Sequence, residues 1–275
     1  KRAVDNKVKT LVIQPTHLMN GLEYNDLADE VAQYSDAFDK VAIGQPLLTS
    51  DDDFKTVIKA ITEATAEYDD GETAICFMGH GTEADSNAVY AKMQDMLASE
   101  GYEHYYVGTV EAEPSLEDVI AKVKEGEYKK VVLEPLMIVA GDHANNDMAG
   151  DEDGSWKKEF EKAGYDVTCL VRGLGELEPI QQLFTEHAQA AIDRACQLME
   201  ELGAGEVVGG MVDICNEVRE PSRVPFKPEK INALLGTDLT PEEMLAYLAK
   251  VELTYDEKTN EIVAPTFRQD IHYVA

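Results

Sequence analysis

The sequence of 275 residues predicts an open α/β fold with parallel sheets, followed by a small α+β module. Three observations predict this architecture. Up to about residue 190, short apolar runs alternate with segments whose apolar residues recur at helical spacing. One long amphipathic segment extends to about residue 202, and beyond it the pattern changes to short helices and a hairpin. We therefore place one domain at residues 1–192 and a second at residues 193–275.

The first domain contains six short apolar runs that predict strands, with helical patterns between them. Serines at two helix starts, Ser50 and Ser115, are each followed three residues later by an aspartate, which is the spacing of a capping box. Regular alternation of this kind predicts parallel βαβ units. The predicted strands cover residues 10–14, 41–44, 73–78, 105–110, 130–139 and 166–171. The helical stripes are Leu27, Val31, Tyr34 and Phe38; Phe54, Val57, Ile58 and Ile61; and Val89, Met93, Met96 and Leu97.

The second domain follows a long predicted helix at residues 178–202, for which Gly203 is a plausible end. Thr240, with Pro241 and Glu243 behind it, forms a predicted capping box for a later helix. The other predicted elements are a strand at 206–218, an extended linker at 221–225, a short helix at 230–235 ended by Gly236, and a hairpin of residues 251–255 and 261–264. These elements predict a small α+β module.

The charge balance is strongly acidic, because 24 Lys and Arg face 54 Asp and Glu for a net charge of −30. This field repels phosphate backbones, so we expect no nucleic-acid partner, and it attracts cations. It is also typical of a solvated acidic surface with no further role. No apolar run approaches the ~18 residues of a membrane span, so we expect no membrane partner. The widely spaced Cys76, Cys169, Cys196 and Cys215 favour free thiols in a reducing compartment, the cytoplasm.

Three predicted strands end in residues that can bind a metal ion. His80 lies between two glycines after the strand at 73–78, Glu111 follows the strand at 105–110, and His143 follows the strand at 130–139. The three are about one β/α unit apart along the chain, and the carboxyl ends of parallel strands meet at one edge of a sheet. Two imidazoles and one carboxylate form a ligand set for a first-row divalent metal, with positions left open. We therefore predict a metal site at this edge.

Each of these residues also has a purely structural interpretation. A histidine between glycines can simply form a turn, an acid such as Glu111 can be solvated, and Asp142 and Asp147 could be helix caps or a loop network. The equivalent positions in a repeated unit favour a shared site. His17 also follows a strand and could line the same cleft. The remaining histidines, His104, His187 and His272, are predicted to be structural or incidental.

Four segments of the first domain resemble the anaerobic sirohydrochlorin cobaltochelatases, class II chelatases related to ferrochelatase. They are FMGHG at residues 77–81, GTVE at 108–111, PLMIVAGDHANNDMA at 135–149 and GSW at 154–156. The resemblance covers about residues 6–192 and implies two Rossmann-like halves with a tetrapyrrole cleft between them. Relative to that family the chain starts after a first strand and helix, so the resemblance implies a shortened first half.

The resemblance also implies an activity, the insertion of Co²⁺, with Fe²⁺ as an alternative metal, into sirohydrochlorin during cobalamin synthesis. By motif match, His80 and His143 take the places of the active-site histidines, and Glu111 that of the metal-site carboxylate. The implied partners are sirohydrochlorin and the divalent metal, with no further cofactor. A neutral imidazole can accept a pyrrole proton near neutral pH or hold a cation loosely enough to release it.

The tail, from about residue 194 to 275, resembles part of the phenylalanyl-tRNA synthetase beta subunit. The resemblance is carried by FKPEKINALLG at 226–236, TDLTPEEM at 237–244 and PTFRQDI at 265–271. In that family the aspartate matching Asp270 binds Mg²⁺ together with acids farther along, so no metal role is carried onto Asp270 alone. The two resemblances together imply a chimera.

Two alternative functions remain open from the sequence, a synthetase beta-subunit fragment and a metal or tetrapyrrole binder without catalysis. A parallel sheet lacking a strand exposes an edge that something must cover. We expect self-association into a homo-oligomer, with cover by the second domain as the alternative.

Overall fold

A computed structural model describes residues 2–201, 221–251 and 253–265 of the chain. The chain divides into two compact units, Lys1–Val207 and Val208–Ala275, and each is described by itself. The boundary between residues 192 and 193 remains a prediction from the sequence. Among the helices of the described ranges, none combines the length and the apolar character that a membrane span requires.

The described part of the first unit contains two parallel sheets. One has two strands, β1 and β2, and the other has four in the order β4-β3-β5-β6, which agrees with the predicted fold class. The strands are β1 (Thr10–Ile13), β2 (Lys40–Ile43), β3 (Thr73–Gly79), β4 (Tyr105–Thr109), β5 (Lys130–Pro135) and β6 (Asp166–Cys169).

Helices separate these strands as the alternation predicted. Both predicted capping boxes of this unit are present, with Ser50 bonded to Asp53 and Ser115 bonded to Asp118. The helices are α1 (Arg2–Asp5), α2 (Leu22–Ala32), α3 (Asp51–Ala64), α4 (Ala88–Ser99), α5 (Leu116–Val123), α6 (Trp156–Lys162) and α7 (Glu178–Glu201), with a short π-helix at Ala144–Met148.

The four-stranded sheet is covered on both faces. Every residue of β3 is buried, and its side chains alternate between two apolar clusters because successive residues of a strand point to opposite faces. Ile75 and Phe77 join one cluster, with residues of α3, α4 and α7. Cys76 and Met78 join the other, with residues of α5 and α6. The central strand is therefore fixed from both sides.

Some details of the predicted elements were wrong. The stripe Leu27, Val31, Tyr34 and Phe38 does not lie on one helix, because α2 ends at Ala32 and a separate turn at Ser35–Ala37 follows. The strand predicted at 130–139 ends at Pro135, because the carbonyl oxygens of Met137 and Ile138 accept hydrogen bonds from the turn at Leu174 and Gly175 instead of a strand. In α4 the buried residues are Tyr90, Met93 and Leu97, whereas Val89 and Met96 of the predicted stripe are only partly buried. Tyr90 packs beneath the glycine-rich turn at the end of β3, a tertiary contact that spacing alone does not indicate.

The described part of the second unit is a small α+β module, as predicted. Its antiparallel sheet has the order β7-β9-β8, and Phe226, Met244 and Ile262 lie in its core. Thr240 forms the predicted capping box, and Gly236 ends a helix with a positive φ of 67°. The elements are β7 (Ser222–Pro225), α8 (Pro228–Leu235), α9 (Pro241–Ala249), β8 (Thr254–Asp256) and β9 (Glu261–Ala264).

Two assignments in this module were wrong. The strand predicted at 251–255 begins only at Thr254, because Val251 N and Leu253 N donate to Leu248 O at the end of α9. The predicted linker at 221–225 contains β7, which pairs antiparallel with β9. Pro225 is tolerated because β7 is an edge strand and proline stands at its last residue. The predicted strand at 206–218, Gly203 and Asp270 lie outside the described residues.

Candidate metal centre

Three side chains converge at the carboxyl edge of the four-stranded sheet. His80 follows β3, Glu111 follows β4 and His143 lies beyond β5, and these strands are neighbours because β3 pairs with both others. One ligand atom from each residue can be chosen so that all three lie within 4.8 Å of one another. The structure thus brings together the three residues that the sequence predicted as a metal site.

The site is open on one side. The imidazole rings of His80 and His143 meet edge to face with their centroids 4.6 Å apart, and His80 Nε2 lies 3.8 Å from Glu111 Oε2. The side chains of His80 and Glu111 are 45% and 55% exposed. If all three side chains bound one ion, coordination positions would remain free on the solvent side, as in sites with three protein ligands and an open position.

The turn that carries His80 depends on its two glycines. Gly81 has a φ of +88°, and a Cβ there would lie 2.8 Å from the backbone nitrogen of Ala112. A Cβ on Gly79 would lie 2.1 Å from the Tyr90 ring. The Tyr90 hydroxyl accepts a hydrogen bond from Gly81 N at 3.3 Å, and burial raises the pKa of this hydroxyl, which therefore stays protonated. The backbone on both sides of His80 is thus held in place.

The segment that carries His143 forms a hydrogen-bonded loop network, one of the alternatives left open by the sequence. Asp147 Oδ2 lies 2.6 Å from His143 Nδ1, and Asp142 Oδ1 accepts a bond from Asn146 Nδ2 at 2.7 Å. Asp147 is therefore engaged by the imidazole, whereas Asp142 is exposed and bonds within the loop.

The hydrogen bonds of the two imidazoles determine which nitrogen faces the site. His80 Nδ1 lies 3.0 Å from the carbonyl oxygen of Gly81, and His143 Nδ1 faces the Asp147 carboxylate. A carbonyl and an ionised carboxylate can only accept, so Nδ1 carries the hydrogen in both rings. In the neutral form of each ring, Nε2 is then the nitrogen that keeps a lone pair, as a metal ligand or a proton acceptor requires.

Comparison with known proteins identifies the first unit. The sequence profile of the cobalt chelatase family, CbiK, matches residues 1–193. The sirohydrochlorin cobaltochelatase of Salmonella typhimurium is 35% identical over 187 residues, which cover 68% of this chain and 70% of that enzyme. The chain belongs to the cobalt chelatase family. Its members are metal chelatases, enzymes of the lyase class, and this chain is one of them.

One further relative supports this assignment, and one solved structure shares the fold. The sirohydrochlorin cobaltochelatase CbiKC of Nitratidesulfovibrio vulgaris is 29% identical over 188 residues, covering 68% of this chain and 66% of that protein. The solved structure of SirB from Bacillus subtilis with Fe³⁺ superimposes with a TM-score of 0.53 at 13% identity, over 69% of this chain and 74% of SirB. At that identity the likeness shows the chelatase fold alone.

The second unit is similar to a different family of proteins, the tRNA synthetases. The tRNA synthetase B5 domain profile matches residues 224–275. The phenylalanine–tRNA ligase beta subunit of Clostridium acetobutylicum is 44% identical over 87 residues, which cover 31% of this chain but 11% of that subunit. The chain is therefore a chimera, as the motifs indicated, of a cobalt chelatase and a segment that is similar to part of a synthetase beta subunit.

A cleft of about 310 Å³ adjoins His80 in the chelatase unit. One wall comes from the loop after β1 and includes His17, so this histidine lies in the same cleft as His80. The Nδ1 atom of His17 is buried and has no hydrogen-bond partner among the described residues. The other wall includes Tyr90 and the segment Leu136, Met137 and Ile138, which sequence reasoning missed because it was assigned to a strand.

Two other histidines have structural partners, in agreement with the sequence. His104 Nε2 lies 2.7 Å from Asp69 Oδ1 at the opposite end of β4 from Glu111. His187 Nε2 lies 3.1 Å from Asp53 Oδ1 and joins α7 to the start of α3. His272 lies outside the described residues. Cys76, Cys169 and Cys196 are free thiols, as predicted, and Cys215 lies outside the described residues.

Proposed function

We propose that this chain inserts Co²⁺ into sirohydrochlorin, with Fe²⁺ as an alternative metal, as a step of anaerobic cobalamin synthesis. The convergence of His80, Glu111 and His143 beside the cleft carries the proposal. The names of the Salmonella typhimurium and Nitratidesulfovibrio vulgaris relatives support the choice of tetrapyrrole and metal. The metal is a substrate of this reaction, and the proposal needs no resident cofactor.

The chemistry requires two events at the same place. The ion exchanges its water for the ring nitrogens of the tetrapyrrole, and two pyrrole N–H protons leave as the two N–metal bonds replace them. Imidazole Nε2 atoms with free lone pairs can bind the incoming cation or accept a proton. The Glu111 carboxylate adds negative charge that attracts the ion, and its exposure leaves the ion free to move on.

Two other functions are a metal or tetrapyrrole binder without catalysis and a synthetase function. A metal or tetrapyrrole binder without catalysis would use the same three residues, so only turnover separates it from an enzyme. A synthetase function is disfavoured because the candidate metal centre lies in the chelatase unit, outside the segment that is similar to the beta subunit. The free thiols of Cys76, Cys169 and Cys196 support a reducing compartment, the cytoplasm, for the proposed reaction.

The test is an absorbance time course of sirohydrochlorin with Co²⁺, with and without the protein. We expect His80→Ala and His143→Ala each to lower the rate at least ~100-fold, the lower range for a lost acid–base or ligand group. His104→Ala is the matched control, because His104 lies at the other end of the same sheet and bonds Asp69. Wild-type activity in His143→Ala would refute the assignment of His143. A protein that binds Co²⁺ or sirohydrochlorin but does not accelerate metal insertion would support the alternative of a binding protein without catalysis.

A further inference from the structure

The Nδ1 atoms of His143 and His80 have different hydrogen-bond partners. The backbone carbonyl of Gly81 holds His80, so no substitution of a side chain removes that bond. The carboxylate of Asp147 holds His143, with Oδ2 2.6 Å from Nδ1. Asp147 lies outside the set of three side chains that can contact a metal together. Beyond the attraction of its charge, it can therefore act on the ion only through His143.

The local backbone explains why Asp147 reaches this nitrogen. Residues Ala144–Met148 form a π-helix, in which Ala149 N donates to Ala144 O at 3.2 Å. Residues four apart are neighbours on one side of a helical turn, so His143 and Asp147 face each other there. His143 and Asp147 are half-buried, at 33% and 46% exposure. The bond is thus partly shielded from water.

We propose that Asp147 is a positioning residue for the metal, which fixes the tautomer and orientation of His143 so that its Nε2 lone pair faces His80 and Glu111. This inference rests on the proposed function. An imidazole with no partner can place its hydrogen on either nitrogen and can rotate about its Cβ–Cγ bond. In the wrong tautomer an N–H group would face the ion. Carboxylates that hold the outer nitrogen of a metal-binding histidine act in this way, and their loss costs about 10–100-fold in metal affinity.

Asp142 provides a matched control in the same loop. It carries the same charge, is exposed, and bonds Asn146 instead of an imidazole. Asp142→Asn removes one negative charge from this loop without touching His143. Asp147→Asn removes the same charge, but its amide oxygen can still accept the Nδ1 hydrogen bond. Asp147→Ala removes both the charge and the acceptor.

The experiment titrates the full-length protein with Co²⁺ alone and follows the visible absorption of the bound ion. We expect Asp147→Ala to bind Co²⁺ about 10–100-fold more weakly than wild type. We expect Asp142→Asn to stay within about twofold, as for a surface substitution, and Asp147→Asn to lie between them. Long-range ¹⁵N–¹H NMR of the metal-free protein reports the tautomer directly. We expect the Nδ1–H form of His143 in wild type and Asp147→Asn, and a mixture in Asp147→Ala.

The inference is overturned if Asp147→Ala keeps the wild-type tautomer and binds Co²⁺ as well as Asp142→Asn does. It is also overturned if Asp147→Asn loses the Nδ1–H tautomer as fully as Asp147→Ala. If Asp147→Ala does not fold, the Co²⁺ affinities of Asp147→Asn and Asp142→Asn are compared, because both variants lose one charge. Equal affinities would then overturn the inference, and weaker binding by Asp147→Asn would support it. A wild-type protein that binds Co²⁺ but does not metallate sirohydrochlorin would refute the proposed function and leave this inference standing.

Discussion

The two sheets of the chelatase unit differ in how firmly they are held. Every residue of β3 is buried in the four-stranded sheet, whereas no residue of β1 or β2 is fully buried. All three residues of the candidate metal centre follow strands of the buried sheet, and the loop after β1 contributes the facing wall of the cleft. The residues that must meet at fixed distances thus follow the strands of the buried sheet.

The strongest test of this contrast compares two isoleucines. Ile75 in β3 is fully buried, and Ile43 in β2 is half-buried. We expect Ile75→Ala to lower the free energy of unfolding by about 4 kcal/mol, within the range for buried isoleucine truncation, because it removes contacts and leaves a cavity. Ile43→Ala should cost about 1–2 kcal/mol, because less apolar area is lost from the interior. Urea denaturation of both variants measures the difference, and equal losses would contradict the contrast.

A buried ion pair gives a second test. Glu134 in β5 is 1% exposed, and Arg172 bonds its carboxylate through Nε at 2.7 Å and also donates to Ala64 O at the end of α3. Burial raises the pKa of Glu134, while the hydrogen bond and charge of Arg172 oppose that rise. Arg172→Ala should therefore cost about 3 kcal/mol at pH 7, the lower end for a broken buried pair because Arg172 is 31% exposed.

The same variant predicts a pH dependence with a definite sign. Without Arg172 the pKa of Glu134 rises further, so the folded protein binds this proton more tightly than the unfolded chain does. Stability then falls as pH rises from the unfolded pKa, ~4.3, through the folded pKa. Denaturation at pH 5 and 7 should show a smaller loss at pH 5. Adding Glu134→Gln to Arg172→Ala should remove this dependence, and a dependence that persists would contradict the role of Glu134.

The sequence predicted the site residues whose positions follow from the repeated β/α unit. His80, Glu111 and His143 were identified because each follows a strand, and parallel strands bring their carboxyl ends to one edge. The sequence did not decide whether Asp147 caps a helix or belongs to a loop network. Its spacing of four residues from His143 was a signal for the hydrogen bond between them. Tyr90 and the segment at 136–138 were missed as parts of the cleft because their positions depend on packing against distant residues.

The smallest expected effect concerns the start of α3, the helix that connects β2 to β3 along the chain. Asp53 at the start of α3 accepts hydrogen bonds from Ser50 N at 2.6 Å, from Thr49 N at 3.2 Å and from His187 Nε2 at 3.1 Å. Burial opposes ionisation of Asp53, but the hydrogen bonds from Ser50 and His187 outweigh it and lower its pKa. Asp118 occupies the same place in the capping box of α5 but is exposed.

We therefore expect Asp53→Asn to cost about 2 kcal/mol at pH 7, since hydrogen bonds to a charged group are worth about 1.5–3 kcal/mol. Asp118→Asn should cost less, because water replaces the bonds it loses. The lowered pKa of Asp53 means that its contribution is complete above the unfolded pKa, ~3.9, and is lost as pH falls through the folded value. The deficit of Asp53→Asn should thus shrink in acid. Thermal unfolding from pH 7 to 3 measures this, and a deficit that stays constant would show that the loss does not depend on ionisation of the Asp53 carboxylate.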